Sequence, residues 1–62
     1  MLKTVVAFVR DGRRERIAVD CPGLPPNPPS HEEFEAAARD GMIAAGALTA
    51  LEATAAKFVV QD

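Results

Sequence analysis

The sequence predicts a small α+β domain in the order ββαβ: an antiparallel β-hairpin, a proline-rich connector, one main helix and a C-terminal strand. Three observations predict this fold. β-Branched and aromatic residues dominate two short segments near the N-terminus, as is typical of strands. Prolines then crowd residues 22–29, where neither a helix nor a central strand can continue. A helix-capping motif follows and opens an alanine-rich segment.

The two strands of the hairpin differ in their apolar pattern. Residues 4–9 carry apolar side chains at both alternating sets of positions, which is typical of an interior strand or of one whose second face meets a partner. Residues 15–21 alternate between apolar and polar, so we expect one side of this strand to be buried and the other to be solvated.

Asp11 and Gly12 predict the hairpin turn, because glycine adopts the positive φ that tight turns need. A two-residue turn would place Phe8 opposite Glu15. A four-residue loop brings apolar side chains opposite each other and avoids facing like charges, so it is the preferred prediction. In that register the facing pairs are Arg10 and Glu15, Phe8 and Ile17, and Val6 and Val19.

The connector and the helix start are predicted from local chemistry. Prolines in residues 21–29 favour a stiff, extended, polyproline-like chain, and their P-x-x-P spacing also matches that of polyproline ligands. Ser30 and Glu33 form an S-x-x-E capping box, which places the helix start near His31. The helix either breaks or bends near Gly46, which we favour, with Ala47 to Ala53 forming a further helical turn or two, or it continues to about Ala53.

The chain is short enough for one domain and has a thin core. Its apolar fraction is 48%, but twelve of those residues are alanine. A core in a domain this small contributes only about 3–5 kcal/mol, so we expect self-association. The predicted parts are a hairpin at 1–20, the connector at 21–29, a helical segment at 30–53 and a strand at 56–61.

Partner binding is therefore the leading functional prediction. The last strand, with sequence KFVVQ, would expose an apolar edge unless a second subunit covered it. We expect a homodimer and a protein partner, and neither nucleic acid nor a membrane. The candidate surface for a partner or for self-association comprises Val5, Val9, Phe58 and Val60.

A basic cluster at the predicted hairpin tip gives an alternative function. Its members, the candidate anion contacts, are Arg10, Arg13, Arg14 and Arg16. Acidic residues are interleaved with them and the net charge of the chain is −2, so a solvated turn is the favoured interpretation over an anion- or nucleic-acid-contacting module.

The sequence contains no pattern that indicates catalysis, a metal site or a cofactor. Cys21 and His31 are its single cysteine and single histidine, too few for a zinc site within one chain. We expect a buried, structural thiol and an exposed histidine, and we predict that the chain is not an enzyme. One unpaired cysteine, no secretory signal and no membrane-spanning run favour the cytoplasm.

The order of these motifs resembles the HicB-like antitoxin domain across about residues 4–40. The matching residues are Val5 to Val9, Asp11-Gly12, Ile17 to Val19, Asp20-Cys21-Pro22-Gly23-Leu24, and Ser30-His31-Glu32-Glu33 followed by Ala36, Ala38 and Arg39. The resemblance implies a non-catalytic fold that binds a small toxin ribonuclease and self-associates. The family has a strand just before the helix, which the prolines here are expected to suppress, and a DNA-binding tail that we do not expect in this chain.

Overall fold

A computed structural model describes residues 1–23 and 26–61 of the chain. In chain order, its elements are β1 (Leu2–Phe8), β2 (Arg14–Asp20), α1 (His31–Ala44), α2 (Ala50–Ala55) and β3 (Lys57–Gln61). The strands form one antiparallel sheet in the order β2-β1-β3, so β1 is central and β2 and β3 are its edges. The predicted ββαβ fold is confirmed, with a short second helix before the last strand.

The hairpin between β1 and β2 has a three-residue loop, and not the two- or four-residue loop predicted from the sequence. The Val9 amide donates to the Arg13 carbonyl at 2.8 Å, and the Gly12 amide donates to the Val9 carbonyl at 2.9 Å. Gly12 has a φ of 98°, so the loop is a tight turn completed by a glycine bulge. Glycine was the right signal, but the predicted loop length was wrong.

Loop length fixes which side chains of β1 face the helix. Val5 pairs with Ile17 and Val6 pairs with Arg16, so the predicted pairs of Phe8 with Ile17 and of Val6 with Val19 are wrong. The odd-numbered residues of β1 and β2 therefore share one face of the sheet. We call this the covered face, because α1 packs on it.

Helix α1 buries three side chains at helical spacing, Phe34, Ala38 and Met42, against the covered face. As predicted, the helix begins after Ser30, whose hydroxyl accepts the Glu33 amide at 3.2 Å. Phe34 and Met42 are at most 1% exposed, so α1 supplies the centre of the core.

The main helix ends at Ala44, and the predicted break at Gly46 is confirmed. Gly46 has a φ of 78°; its amide donates to the Ile43 carbonyl and the Ala47 amide donates to the Met42 carbonyl, which together form a Schellman motif. A capping box with both hydrogen bonds then starts α2, whereas only the Ser30 hydroxyl half of the predicted box is seen at α1: the Thr49 hydroxyl accepts the Glu52 amide, and the Glu52 carboxylate accepts the Thr49 amide. In the sequence, Thr49 and Glu52 have the T-x-x-E spacing of a capping box.

The connector turns back on itself and is not one extended rod. A Cβ added at Gly23 would lie 2.5 Å from Cδ of Pro29, so these two residues are in close contact. A polyproline helix would hold residues six apart at about 19 Å. The part of the predicted connector at Leu24 and Pro25 lies outside the described residues.

Candidate protein-binding surface

The second face of the sheet has no described element packed on it, and we call it the open face. Its members are Leu2, Thr4, Val6 and Phe8 of β1, Arg14, Arg16, Ala18 and Asp20 of β2, and Lys57, Val59 and Gln61 of β3. Strand pairing aligns them in rows across the sheet, because side chains opposite each other in an antiparallel pair lie on the same face.

The open face carries an apolar patch formed by Val6, Phe8 and Val59 in two neighbouring rows, and we call it the apolar centre. Phe8 is 43% exposed and Val59 37%, whereas Leu2, 68% exposed, lies at the opposite end of β1. Val6 is only 3% exposed, because it lies on the central strand between Arg16 of β2 and Val59 of β3. Large apolar side chains gathered on one face mark an interaction surface more often than single exposed ones do.

Basic side chains border this apolar centre. Arg14 and Lys57 lie on either side of Phe8 in one row, and Arg16 lies beside Val6 in the next. All three are exposed, and none makes an ion pair with another described residue. The apolar centre with this border is suited to a partner surface that is apolar in the middle and acidic around it.

The four residues predicted to form the partner surface lie instead in the core. Val5, Val9, Phe58 and Val60 are each at most 9% exposed and belong to the cluster under α1. They are buried because the three-residue loop turns the odd-numbered positions of β1 towards the helix. The accessible apolar side chains of the sheet are their neighbours on the open face.

The predicted arginine cluster is divided by the structure. Arg13 pairs with Asp11 at 2.8 Å, with Glu15 at 4.0 Å and with Glu52 of α2, so its charge is locally balanced. The Arg13 amide, and next its guanidinium, hold the pKa of Asp11 below the usual aspartate value. Arg13 thus joins the hairpin tip to α2.

The other three arginines point to solvent, but from two different places. Arg10 is exposed in the hairpin loop, and Arg14 and Arg16 lie two residues apart on the open face. The cluster therefore reduces to a pair of cations beside the apolar centre, with Arg10 apart from them.

A second apolar depression lies between the hairpin loop and α2. It has a volume of about 340 Å³, is open to solvent and is lined by Val9, Arg10, Asp11, Leu51, Glu52 and Ala55. Leu51 is 82% exposed there. The depression is separate from the open face. Leu51 is therefore an exposed apolar side chain that can be compared with Phe8 on the open face.

The two residues considered for chemistry lie in different environments. Cys21 is a free thiol, 7% exposed, in the core cluster just after β2, and His31 is exposed as the first residue of α1. Among residues 1–23 and 26–61, no group of three His, Cys, Asp or Glu side chains is placed to hold a metal ion. None of the helices in those ranges is long and apolar enough to span a bilayer.

Comparison with known proteins gives no relative for this chain. It matches no protein-family model, no curated protein and no solved structure.

Proposed function

We propose that the chain is a small, non-catalytic, cytoplasmic protein-binding domain that binds a protein partner on its open face and associates with a second copy of itself. The observation that carries the proposal is the uncovered apolar centre, in which Phe8 and Val59 are exposed in neighbouring rows of the sheet. A three-stranded sheet with one helical layer has no second layer to cover that face.

The chemistry of the partner follows from the border of the face. Arg14, Arg16 and Lys57 would stay solvated at the rim of an interface while Phe8 and its apolar neighbours are buried in its centre. An apolar partner surface with carboxylates around it complements this arrangement. Charge at the rim favours fast, salt-dependent association, and the apolar centre provides most of the affinity.

The resemblance to HicB-like antitoxins names the class of partner. We propose a small toxin ribonuclease, encoded by the reading frame next to that of this chain. Co-expression of the two products, followed by co-purification through a tag on the neighbour, tests the proposal. We expect the wild-type chain to be retained in a stoichiometric complex.

Two matched variants make the test specific to the open face. Phe8→Glu places a charge in the centre of the proposed interface and is expected to abolish retention. Leu51→Glu makes the same kind of change at an exposed apolar residue on α2 and is expected to leave retention unchanged. Equal retention of both variants, or no retention of the wild type, would contradict the proposal.

Anion contact is the second candidate function, and it is supported by Arg14 and Arg16 lying together on the open face. This alternative predicts that RNA or DNA oligonucleotides bind in a salt-sensitive manner and that Arg14→Ala weakens the binding. Arg13→Ala is the control, because Arg13 is already paired with carboxylates. No binding at low salt, or equal binding by Arg14→Ala, would remove this alternative.

A further inference from the structure

The two edges of the sheet differ in how they are protected from pairing with other strands. The β2 edge carries charged side chains at Arg14, Glu15, Arg16 and Asp20, which is a common protection against edge-to-edge contact. Within β3 the only charge is Lys57, at its start, and residues 58–60 are phenylalanine and valines. The β3 edge therefore has the features of a strand that accepts a partner strand.

The hydrogen bonds of the hairpin show which backbone groups of β3 point outward. The Val9 amide donates to Arg13, and the Cys21 amide donates to the Met1 carbonyl, so odd-numbered residues of β1 bond to β2. Because the direction alternates along an antiparallel strand, even-numbered residues of β1 bond to β3. Their partners are Lys57, Val59 and Gln61.

Phe58 and Val60 consequently direct their amide and carbonyl groups away from β1, along the open edge. Their side chains are buried in the core, so the two residues hold these backbone groups in a fixed, extended geometry. Within residues 1–23 and 26–61, no further backbone hydrogen bond to these outward groups is formed. A row of this kind in a buried strand is already arranged to bond with another strand.

We infer that two copies of the chain pair through β3, antiparallel and with the two-fold axis at Val59, to form one continuous six-stranded sheet. This inference rests on the self-association in the proposed function and adds its surface and register. Phe58 of each copy then exchanges both backbone hydrogen bonds with Val60 of the other. This register is the one that pairs all five residues of the strand, and it places Lys57 opposite Gln61, so like charges do not face each other.

The same register extends the open face across both copies. Pairs in antiparallel strands keep their side chains on the same side, so Val59 of one copy lies beside Val59 of the other. The row that contains Arg16, Val6 and Val59 is then doubled into four central valines with an arginine at each end. Both helical layers stay on the opposite side, so they do not obstruct the pairing.

A pair of substitutions at one position separates the backbone from the side chain. Val60→Pro removes the outward amide and leaves the bonds between β3 and β1 in place, and proline is tolerated at such edge positions. Val60→Ala also reduces the side chain in the core but keeps the amide. By sedimentation equilibrium from low to high micromolar concentration, we expect wild type and Val60→Ala to rise from 6.6 kDa towards twice that mass, and Val60→Pro to stay at 6.6 kDa.

Amide hydrogen exchange of the wild-type chain gives a test that does not depend on any variant folding. We expect exchange at Phe58 and Val60 to slow as concentration rises, whereas Val59, bonded to β1, is slow throughout. Self-association of Val60→Pro equal to that of Val60→Ala would overturn the β3 pairing but leave self-association intact. A wild-type mass of 6.6 kDa at every concentration, or no change at Phe58 and Val60, would also overturn it, while retention on the neighbouring gene product would still report on the open face.

Discussion

The covered face and the open face of the sheet are both rich in apolar side chains, but only the covered face is sealed. Phe34 of α1 is fully buried there, and Phe58 of β3 is 8% exposed. A cation lies over each ring. The Lys3 ammonium is 5.4 Å from the centroid of the Phe34 ring, and the Arg39 guanidinium is 5.0 Å from the centroid of the Phe58 ring. The third phenylalanine, Phe8, is on the open face and is 43% exposed.

This difference indicates two separate roles for residues of the same type. Apolar side chains on the covered face hold the chain together, and those on the open face are available to a partner. A domain of this size has little stability to lose, so the two roles are expected to separate clearly when each face is altered in turn.

Truncating one phenylalanine on each face is the strongest test of the comparison. Phe34→Ala is expected to cost about 3–5 kcal/mol in free energy of unfolding, because it leaves a cavity in the core, and so to unfold most of the chain. Phe8→Ala is expected to cost less than about 1 kcal/mol. Urea unfolding followed by circular dichroism measures both.

A milder change keeps this test informative if Phe34→Ala does not fold at all. Phe34→Leu retains most of the apolar volume and is expected to cost about 1.5 kcal/mol or less. Equal losses from Phe8→Ala and Phe34→Ala would show that the open face also supports the fold, and the division between the faces would then be wrong.

The second prediction concerns Gly46, which closes the C-terminal end of α1 and separates it from α2. Gly46→Ala is expected to lower the free energy of unfolding by about 1–2 kcal/mol, because an L-residue is disfavoured at a φ of 78°. The chain is short enough for chemical synthesis, so D-alanine at this position is a matched control that favours positive φ. Stability equal to wild type in Gly46→Ala, or a loss with D-alanine as large as with L-alanine, would contradict the role given to this residue.

The smallest expected effect is the pH dependence of the stability that the hairpin tip contributes. There Arg13, just before β2, joins the loop to Glu52 of α2. The folded pKa of Asp11 is lowered, so its contribution to stability is present above the unfolded value of about 3.9 and is lost as pH falls through the folded pKa. NMR titration of the Asp11 carboxyl carbon is expected to show a midpoint below that of an unfolded peptide.

Arg13→Ala tests the cause of this shift. The Arg13 amide is its largest cause and survives the substitution, so the midpoint is expected to move only part of the way towards the ordinary aspartate value. A complete return in Arg13→Ala would assign the shift to the guanidinium alone. An unshifted midpoint in the wild type would contradict the predicted pH dependence itself.

Local chemistry made the elements predictable from the sequence. Ser30 and Glu33 located the start of α1, and Gly46 located its end, because each acts through hydrogen bonds or backbone geometry within a few residues. The same kind of signal at Thr49 and Glu52 was present but not used, so α2 was predicted only as an additional turn or two of helix.

The candidate surface was harder to predict because it depends on loop length. Asp11 and Gly12 indicate a turn but are compatible with loops of two, three or four residues. In most strands the apolar alternation would decide among them, but β1 is apolar at Val5 and Val6 alike. In the structure, the bond from the Val9 amide to the Arg13 carbonyl fixes the register, and the burial of Val5 and Ala7 shows that the odd-numbered set faces the helix.

The glycine bulge at the hairpin tip also determines how this sequence can diverge. Insertion or deletion of a single codon there would rotate β1 by half a turn about its own axis, moving Phe8 inward and Ala7 outward. Both alternating sets of β1 side chains are apolar enough to pack beneath a helix. Such an insertion or deletion would therefore exchange the buried and exposed sets of β1 without changing the composition of the strand. Relatives that differ only at this corner would then present different outer surfaces on the same scaffold.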